Sequence, residues 1–286
     1  MNKIKLKKKF IIGSANFTQK YGIISNKVSD KEIKKILNLA KKKGINTIDT
    51  AESYLKNSNI LKNINNNFKF TTKIKANKNW TSFEFCQKKI EDHFKNLNTN
   101  KIEIVFFHDV GILLRKNGDK IFQNLELLKK KNFFKKIGLS IYDTNILDDL
   151  LKRYNFDVVQ CPFNILDRRI LNSGCFDMLK KLGKETHIRS VFLQGLLVNK
   201  SFHKKIYFKK WNFFFYKWFD YMENNNISPI DYCLSDLMKY DFDRILIGIN
   251  NSENLKQIIN FKTVNKNKMI NFEISDRKLI DPRNWK

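Results

Sequence analysis

Eight short runs of apolar or alternating residues recur along this chain, with stretches of helical periodicity between them. The first, Phe10-Ile11-Ile12, enters a small-residue turn, Gly13-Ser14-Ala15, where backbone can approach a ligand closely. Ser29 with Glu32 three residues on has the capping-box pattern; Ile33, Ile36, Leu37 and Ala40 follow at helical spacing, and Gly44 stops the helix. Residues 45–49 are the second strand and 68–74 the third. Thr81 and Glu84 form another capping box, ahead of a helix with Phe83, Cys86, Ile90, Phe94 and Leu97 on one face. Strands at 102–107, 136–140, 157–162, 186–192 and 244–248 continue the beat. Asp143 is expected to cap the helix after the fifth strand, and Asn251 or Ser252 the last helix.

Eight strand-helix beats in 286 residues fit a closed (β/α)8 TIM barrel, an α/β fold in a single domain, better than an open doubly wound sheet. No glycine-rich dinucleotide fingerprint follows the first strand, which weakens the open-sheet alternative. The barrel core is expected over residues 10–261, with a basic C-terminal tail, 262–286, on its outside or over its mouth. At 42% hydrophobic the chain can bury a full core. No apolar run approaches the ~18 residues of a membrane span. The basic start mimics a signal peptide, but its apolar part stops at Gly13, short of the ~7–15 residues expected, so a cytoplasmic location is inferred. Cys86, Cys161, Cys175 and Cys233 have no metal-ligand spacing and read as reduced thiols, with no metal site. A net charge of +27 invites a nucleic-acid reading, yet the lysines are spread along every predicted helix. The chain is equally rich in Asn, Ile and Phe and carries no nucleic-acid motif, so no specific nucleic-acid partner is expected.

In a barrel, polar side chains at the C-terminal ends of the strands converge on one mouth. Asp49, Tyr54, Lys73 and His108 occupy such ends on consecutive beats. Alone, each has an ordinary structural reading: a turn cap, a packed ring, one lysine among many, a satisfied loop histidine. Together they make a set suited to reversible carbonyl reduction. A free tyrosine has a pKa near ~10; a lysine cation beside it lowers that value, and a carboxylate behind the lysine holds the ammonium in place. The phenol then exchanges a proton with a carbonyl oxygen that the imidazole orients.

These residues resemble the aldo-keto reductases, and the resemblance runs from about Phe10 to Phe261. Residues 48–54, Ile-Asp-Thr-Ala-Glu-Ser-Tyr, match that family's opening signature; Thr72-Lys73 and Phe107-His108-Asp109 match its next two catalytic positions. The resemblance implies an NAD(P)H-dependent oxidoreductase, a monomer or weak oligomer, that reduces a small-molecule aldehyde or ketone, sugar-derived carbonyls included. Tyr54 would be the general acid, tuned by Lys73 and Asp49, with His108 placing the carbonyl. Gly13 and Ser14 would approach the cofactor, and Ser140 and Gln160 would hold the nicotinamide carboxamide. Arg189, Ser190, Phe192, Leu193, Gln194 and Gly195 lie in the segment that meets the nicotinamide and the pyrophosphate. Gly248, Asn250, Ser252 and Asn254 lie in the adenosine-phosphate segment, at a helix N-terminus. NADP(H) is the cofactor implied, with NAD(H) as the alternative.

The sequence departs from the family at Leu55, where Gly is usual, at Asn57-Ser58, and at Ile141. It departs also at Arg189, where an aromatic ring is common, and at Asn250 and Asn254, where many members carry Lys or Arg. Leu55 and Arg189 motivate a rival reading, a barrel that binds the cofactor but works as a sensor or subunit without turnover. Residues 207–219 are basic and aromatic, but Trp211, Phe214, Phe215, Trp218 and Met222 form a helical stripe suited to packing on the barrel. Arg168 and Arg169 either meet an anionic substrate or pair with nearby acids.

Overall fold

In the computed structural model, which describes residues 2–23, 27–55, 59–64 and 68–285, eight parallel strands close into a barrel. β1 (Phe10–Gly13), β2 (Thr47–Asp49), β3 (Lys69–Ile74), β4 (Ile102–Phe107), β5 (Phe134–Ser140), β6 (Val158–Pro162), β7 (Glu185–Arg189) and β8 (Arg244–Gly248) pair in sequence order. β8 returns to β1 in the register Phe10 opposite Ile245 through Gly13 opposite Gly248, so the sheet has no free edge. The outer layer contains α1 (Asp30–Lys42), α2 (Phe83–Leu97), α3 (Gly118–Lys130), α4 (Leu147–Arg153), α5 (Cys175–Lys181), α6 (Asn212–Asn224), α7 (Pro229–Leu237) and α8 (Ser252–Ile259). The expected barrel is therefore the fold observed.

Alternation along the strands sorts the side chains into two cores. The large one lies between sheet and helices, as β4 shows with Val105 and Phe107. Inside the barrel, Ile104 and Phe106 of β4 and Val158 of β6 form a separate apolar plug. Gly138 of β5 is required there, because a Cβ at that position would overlap the Phe106 ring. Two residues further along the same inward faces the chemistry turns polar: His108 follows Phe106, and Gln160 follows Val158. The site thus stands on an apolar floor.

Several local expectations are corrected. Ser82, not Thr81, caps α2 by accepting the Phe85 N–H at 3.2 Å; Thr81 turns its hydroxyl back to the Lys78 carbonyl. Asp143 accepts from the Asn145 N–H and makes a turn, while α4 starts later, at Leu147. The seventh strand ends at Arg189, because Ser190 takes a left-handed φ of 63° and leaves the sheet. Asn251 caps α8, accepting from the Asn254 N–H at 2.8 Å. At α1 only half of the capping box forms: Ser29 accepts from Glu32 N–H at 3.3 Å, but the Glu32 carboxylate reaches elsewhere.

The aromatic stripe is buried at Trp211, Phe215, Trp218 and Met222, with Phe214 packed beside it. The tail first follows this flank, where Phe272 packs edge-on against Trp218 at 4.8 Å and Tyr232 donates to the Ile270 carbonyl. It then crosses the mouth: Ile274 N–H donates to Leu166, and Arg277 meets Asp143 at 3.0 Å beyond β5. The four cysteines are buried free thiols. Among the described residues, no helix is long and apolar enough to cross a membrane.

Candidate active site

A cavity of about 440 Å³ opens at the C-terminal ends of the strands and brings Asp49, Tyr54, Lys73 and His108 together. Asp49 ends β2 and is 3% exposed; Lys73, near the end of β3, is 5% exposed. The two form a direct ion pair. Asp49 Oδ2 accepts from Thr71 Oγ1 at 2.8 Å and from Gln160 Nε2 at 3.1 Å. A buried charge pair endures when further hydrogen bonds satisfy it, and here two neutral donors serve the carboxylate. Burial pushes the Lys73 ammonium below its ordinary pKa, and the Asp49 carboxylate opposes that push.

Tyr54 sits on the short helix Glu52–Leu55, directly after the strand exit. That helix is tied to β3 through the Lys75 N–H, which donates to Glu52 Oε2 at 3.1 Å. Burial raises the Tyr54 phenol above its ordinary value; Tyr21, Asp49 and Tyr142 add to the rise and Arg189 opposes it. The expected lowering by Lys73 is not what the geometry produces. Lys73 has its counter-charge in direct contact, so desolvation governs the phenol, and the cation that favours its anion is Arg189. His108 is half-buried, with its backbone N–H on the Ile74 carbonyl at 2.9 Å. Burial, then Lys73 and Arg189, push its imidazole down, which keeps the ring neutral near pH 7.

The cavity continues from these four residues toward β8. Of the residues expected at a cofactor, Gly13, Ser14, Ser140, Gln160, Arg189, Ser190, Phe192, Gln194, Gly195, Gly248, Asn250 and Asn254 line it. Two do not. Leu193 is fully buried in the core, because the chain turns through left-handed φ values at Ser190, Leu193, Gln194 and Gly195 and points that side chain inward. Ser252 is taken up by Glu32 of α1, whose Oε1 accepts both its N–H and its hydroxyl at 2.6 Å. Asn57 and Ser58 lie outside the described residues. Leu55, the last residue of the short helix, is buried.

Sequence reasoning missed Asn16, Tyr21, Tyr142 and Gln257 in the lining. Asn16 donates to the Ile249 carbonyl at 2.6 Å and to Asn250 Oδ1 at 2.9 Å, fixing the loop after β8. Tyr142 stands two residues beyond Ser140, on the same inward face, a signal that period-two counting would have found. Its ring is stacked between the Arg189 and Arg283 guanidinium groups, at 3.9 and 3.7 Å. Arg189 Nη2 also donates to the Ile141 carbonyl at 3.1 Å. Arg168 and Arg169 are paired with acids: Arg168 with Asp236 at 2.6 Å, Arg169 with Asp167 at 2.7 Å.

Within the lining, buried Ser14 Oγ, Gln160 Oε1 and Arg189 Nε have no hydrogen-bond partner among the described residues. Buried polar atoms are rarely left so, and these three offer a hydroxyl, an acceptor and a donor to a polar ligand. A nicotinamide dinucleotide, with its carboxamide and phosphates, fits that donor set.

The sequence model of the aldo/keto reductase family matches residues 9–273. The fold is similar to that of a glycerol dehydrogenase from Gluconobacter oxydans, with a TM-score of 0.68 at 16% identity, covering 91% of this chain and 88% of that one. It is similar also to the holo form of an aldo-keto reductase from Bacillus halodurans, with a TM-score of 0.67 at 16% identity over 91% and 89% of the two chains. At that identity the likeness to these structures is one of fold. No curated protein sequence matches the chain.

Proposed function

Because the chain belongs to the aldo/keto reductase family, a family of oxidoreductases acting on small carbonyl compounds, we propose that it reduces an aldehyde or ketone to the alcohol with Tyr54 as general acid. The observation that carries the reading is the buried Asp49–Lys73 pair, held by Thr71 and Gln160, which opens on the same cavity as Tyr54 and His108. When bound, a nicotinamide dinucleotide supplies the hydride. Ser140 and Gln160 would hold its carboxamide, the turn from Ser190 to Gly195 its pyrophosphate, and Asn250 and Asn254 its adenosine end.

The chain's own residues supply the proton and the geometry. Burial keeps the Tyr54 phenol protonated at neutral pH, which is the state a general acid needs. His108, neutral, can donate an N–H to the carbonyl oxygen and orient it. As the carbonyl carbon gains a hydride, its oxygen becomes an alkoxide, and Tyr54 passes its proton to that oxygen. The phenolate left behind is favoured by the Arg189 cation, which acts on Tyr54 against the effect of burial. Asp49 opposes the burial that lowers the Lys73 pKa and holds Lys73 in place beneath them.

Replacing Tyr54 by Phe tests the reading. Turnover is expected to fall by at least ~10²-fold, the span of a positioned general acid, while the reduced cofactor still quenches protein fluorescence on binding. Undiminished turnover removes Tyr54 from the mechanism. Tight cofactor binding with no turnover of any carbonyl in a broad panel by the wild-type chain would instead favour the sensor or subunit reading.

A further inference from the structure

We propose that this chain favours the cofactor without a 2′-phosphate, NADH over NADPH, and that Glu32 is the residue that sets the preference. The inference rests on the nicotinamide-dependent reading above and reverses the expectation drawn from the family resemblance.

With the reacting carbonyl at Tyr54 and His108, the hydride-donating ring belongs at that end of the cavity. The lining leads from there past Gly248 to Asn250, Asn251, Asn254 and Gln257. A dinucleotide with its ring at one end has its adenosine ribose at the other, so the ribose that carries or lacks the phosphate faces this amide-lined end. A phosphate there needs cations or free helix N–H groups. At the N-terminus of α8 this chain has committed the Ser252 and Asn254 N–H groups.

The N-terminus of α8 is already occupied by an anion. Glu32 Oε1 accepts from the Ser252 N–H and the Ser252 hydroxyl, both at 2.6 Å, and Asn251 Oδ1 takes the Asn254 N–H at 2.8 Å. The two Ser252 hydrogen bonds and Lys35 hold the Glu32 carboxyl down at about 2, so it is charged at every physiological pH. Glu253 adds a second carboxylate in the same first turn. Two lysines on the same helices are engaged with those acids: Lys35 lies 3.2 Å from Glu32 and Lys256 lies 3.1 Å from Glu253. The cations of the lining, Lys73 and Arg189, belong to the opposite, catalytic end.

A 2′-phosphate carries ~−1.5 to −2 charge and would have to displace Glu32 or sit against it. A 2′-hydroxyl is neutral and both donates and accepts, which suits asparagine and glutamine side chains. Selectivity of this kind comes as much from the repelled group as from the accepted one.

The test is a fluorescence titration with NADH and NADPH in parallel on the wild-type chain, Glu32→Gln and Glu253→Gln. The wild type is expected to bind NADH about tenfold more tightly than NADPH, a difference of ~1.4 kcal/mol. Glu32→Gln is expected to move the NADPH-to-NADH ratio of Kd values down by about tenfold, the scale of one charge at a helix terminus. Glu253→Gln is expected to move it the same way by less, which keeps the test available should Glu32→Gln fail to fold. Tighter binding of NADPH by the wild type, or a ratio unmoved in both variants, overturns the proposal and leaves the catalytic reading standing. Binding of neither cofactor overturns both.

Discussion

Replacing Asp49 by Asn removes one charge and almost no volume from the most buried ion pair of the site. Lys73 would then sit 5% exposed with no counter-charge in contact, above the Phe106 ring at 5.8 Å. Removing one partner of a buried pair costs about 3–5 kcal/mol, because the remaining charge is left desolvated. For a domain of this size each kcal/mol moves Tm by ~2–4 °C, so Asp49→Asn should lower Tm by about 6–20 °C. Thermal unfolding followed by circular dichroism measures this, and Asp49→Asn/Lys73→Met completes the cycle. The double variant should recover most of the loss, since neither charge remains. The loss in Asp49→Asn should also shrink as pH rises. Burial lowers the Lys73 pKa in the folded protein, so between that value and its unfolded ~10.4 the unfolded chain binds more protons and stability climbs with pH. A Tm drop under about 2 °C, or a double variant as unstable as the sum of the single changes, would refute the claim that the pair is buried and charged.

His108→Gln should lower kcat/KM by about 10²-fold, and the acid limb of the wild-type pH profile should lie below the ~6.5 of a free imidazole and vanish in the variant. Gly138→Ala should destabilise the barrel by roughly 1–3 kcal/mol in urea unfolding, since its methyl would overlap the Phe106 ring of the interior plug. Arg168→Met should destabilise by roughly 1–3 kcal/mol, since Asp236 loses its buried partner and keeps only the exposed Lys239 at 3.0 Å, with no selective loss toward anionic over neutral carbonyls. A KM rise confined to anionic substrates would return Arg168 to the substrate side.

The barrel was legible because its strands carry apolar runs and its helices carry a second, longer period, and each period survives without knowing any neighbour. Asp49, Lys73 and His108 were legible for the same reason: strand ends are countable, and inward positions alternate. What stayed hidden depends on contacts between residues far apart in the chain. Ser29 and Glu32 satisfy a local capping rule, yet Ser252, 220 residues away, offers the Glu32 carboxylate two donors and wins it. Arg168 reads as available until Asp236 is folded beneath it. The Tyr54 phenol reads as lowered by a lysine until the Lys73 charge proves to be matched by Asp49, leaving burial to set the direction. Leu193 sits in a segment with the right composition, but left-handed backbone at Ser190 and from Leu193 to Gly195 decides which side chains face the cavity.

The central claim is that this cavity moves a hydride from a nicotinamide to a carbonyl carbon while Tyr54 moves the proton. The most direct measurement uses reduced cofactor carrying deuterium at the transferable position, with mass spectrometry of the alcohol formed by the wild-type chain and by Tyr54→Phe. Deuterium on the carbinol carbon in the wild type, and no alcohol above background in Tyr54→Phe, is the result predicted. Alcohol that carries no label, or equal yields of labelled alcohol from the two proteins, would contradict it.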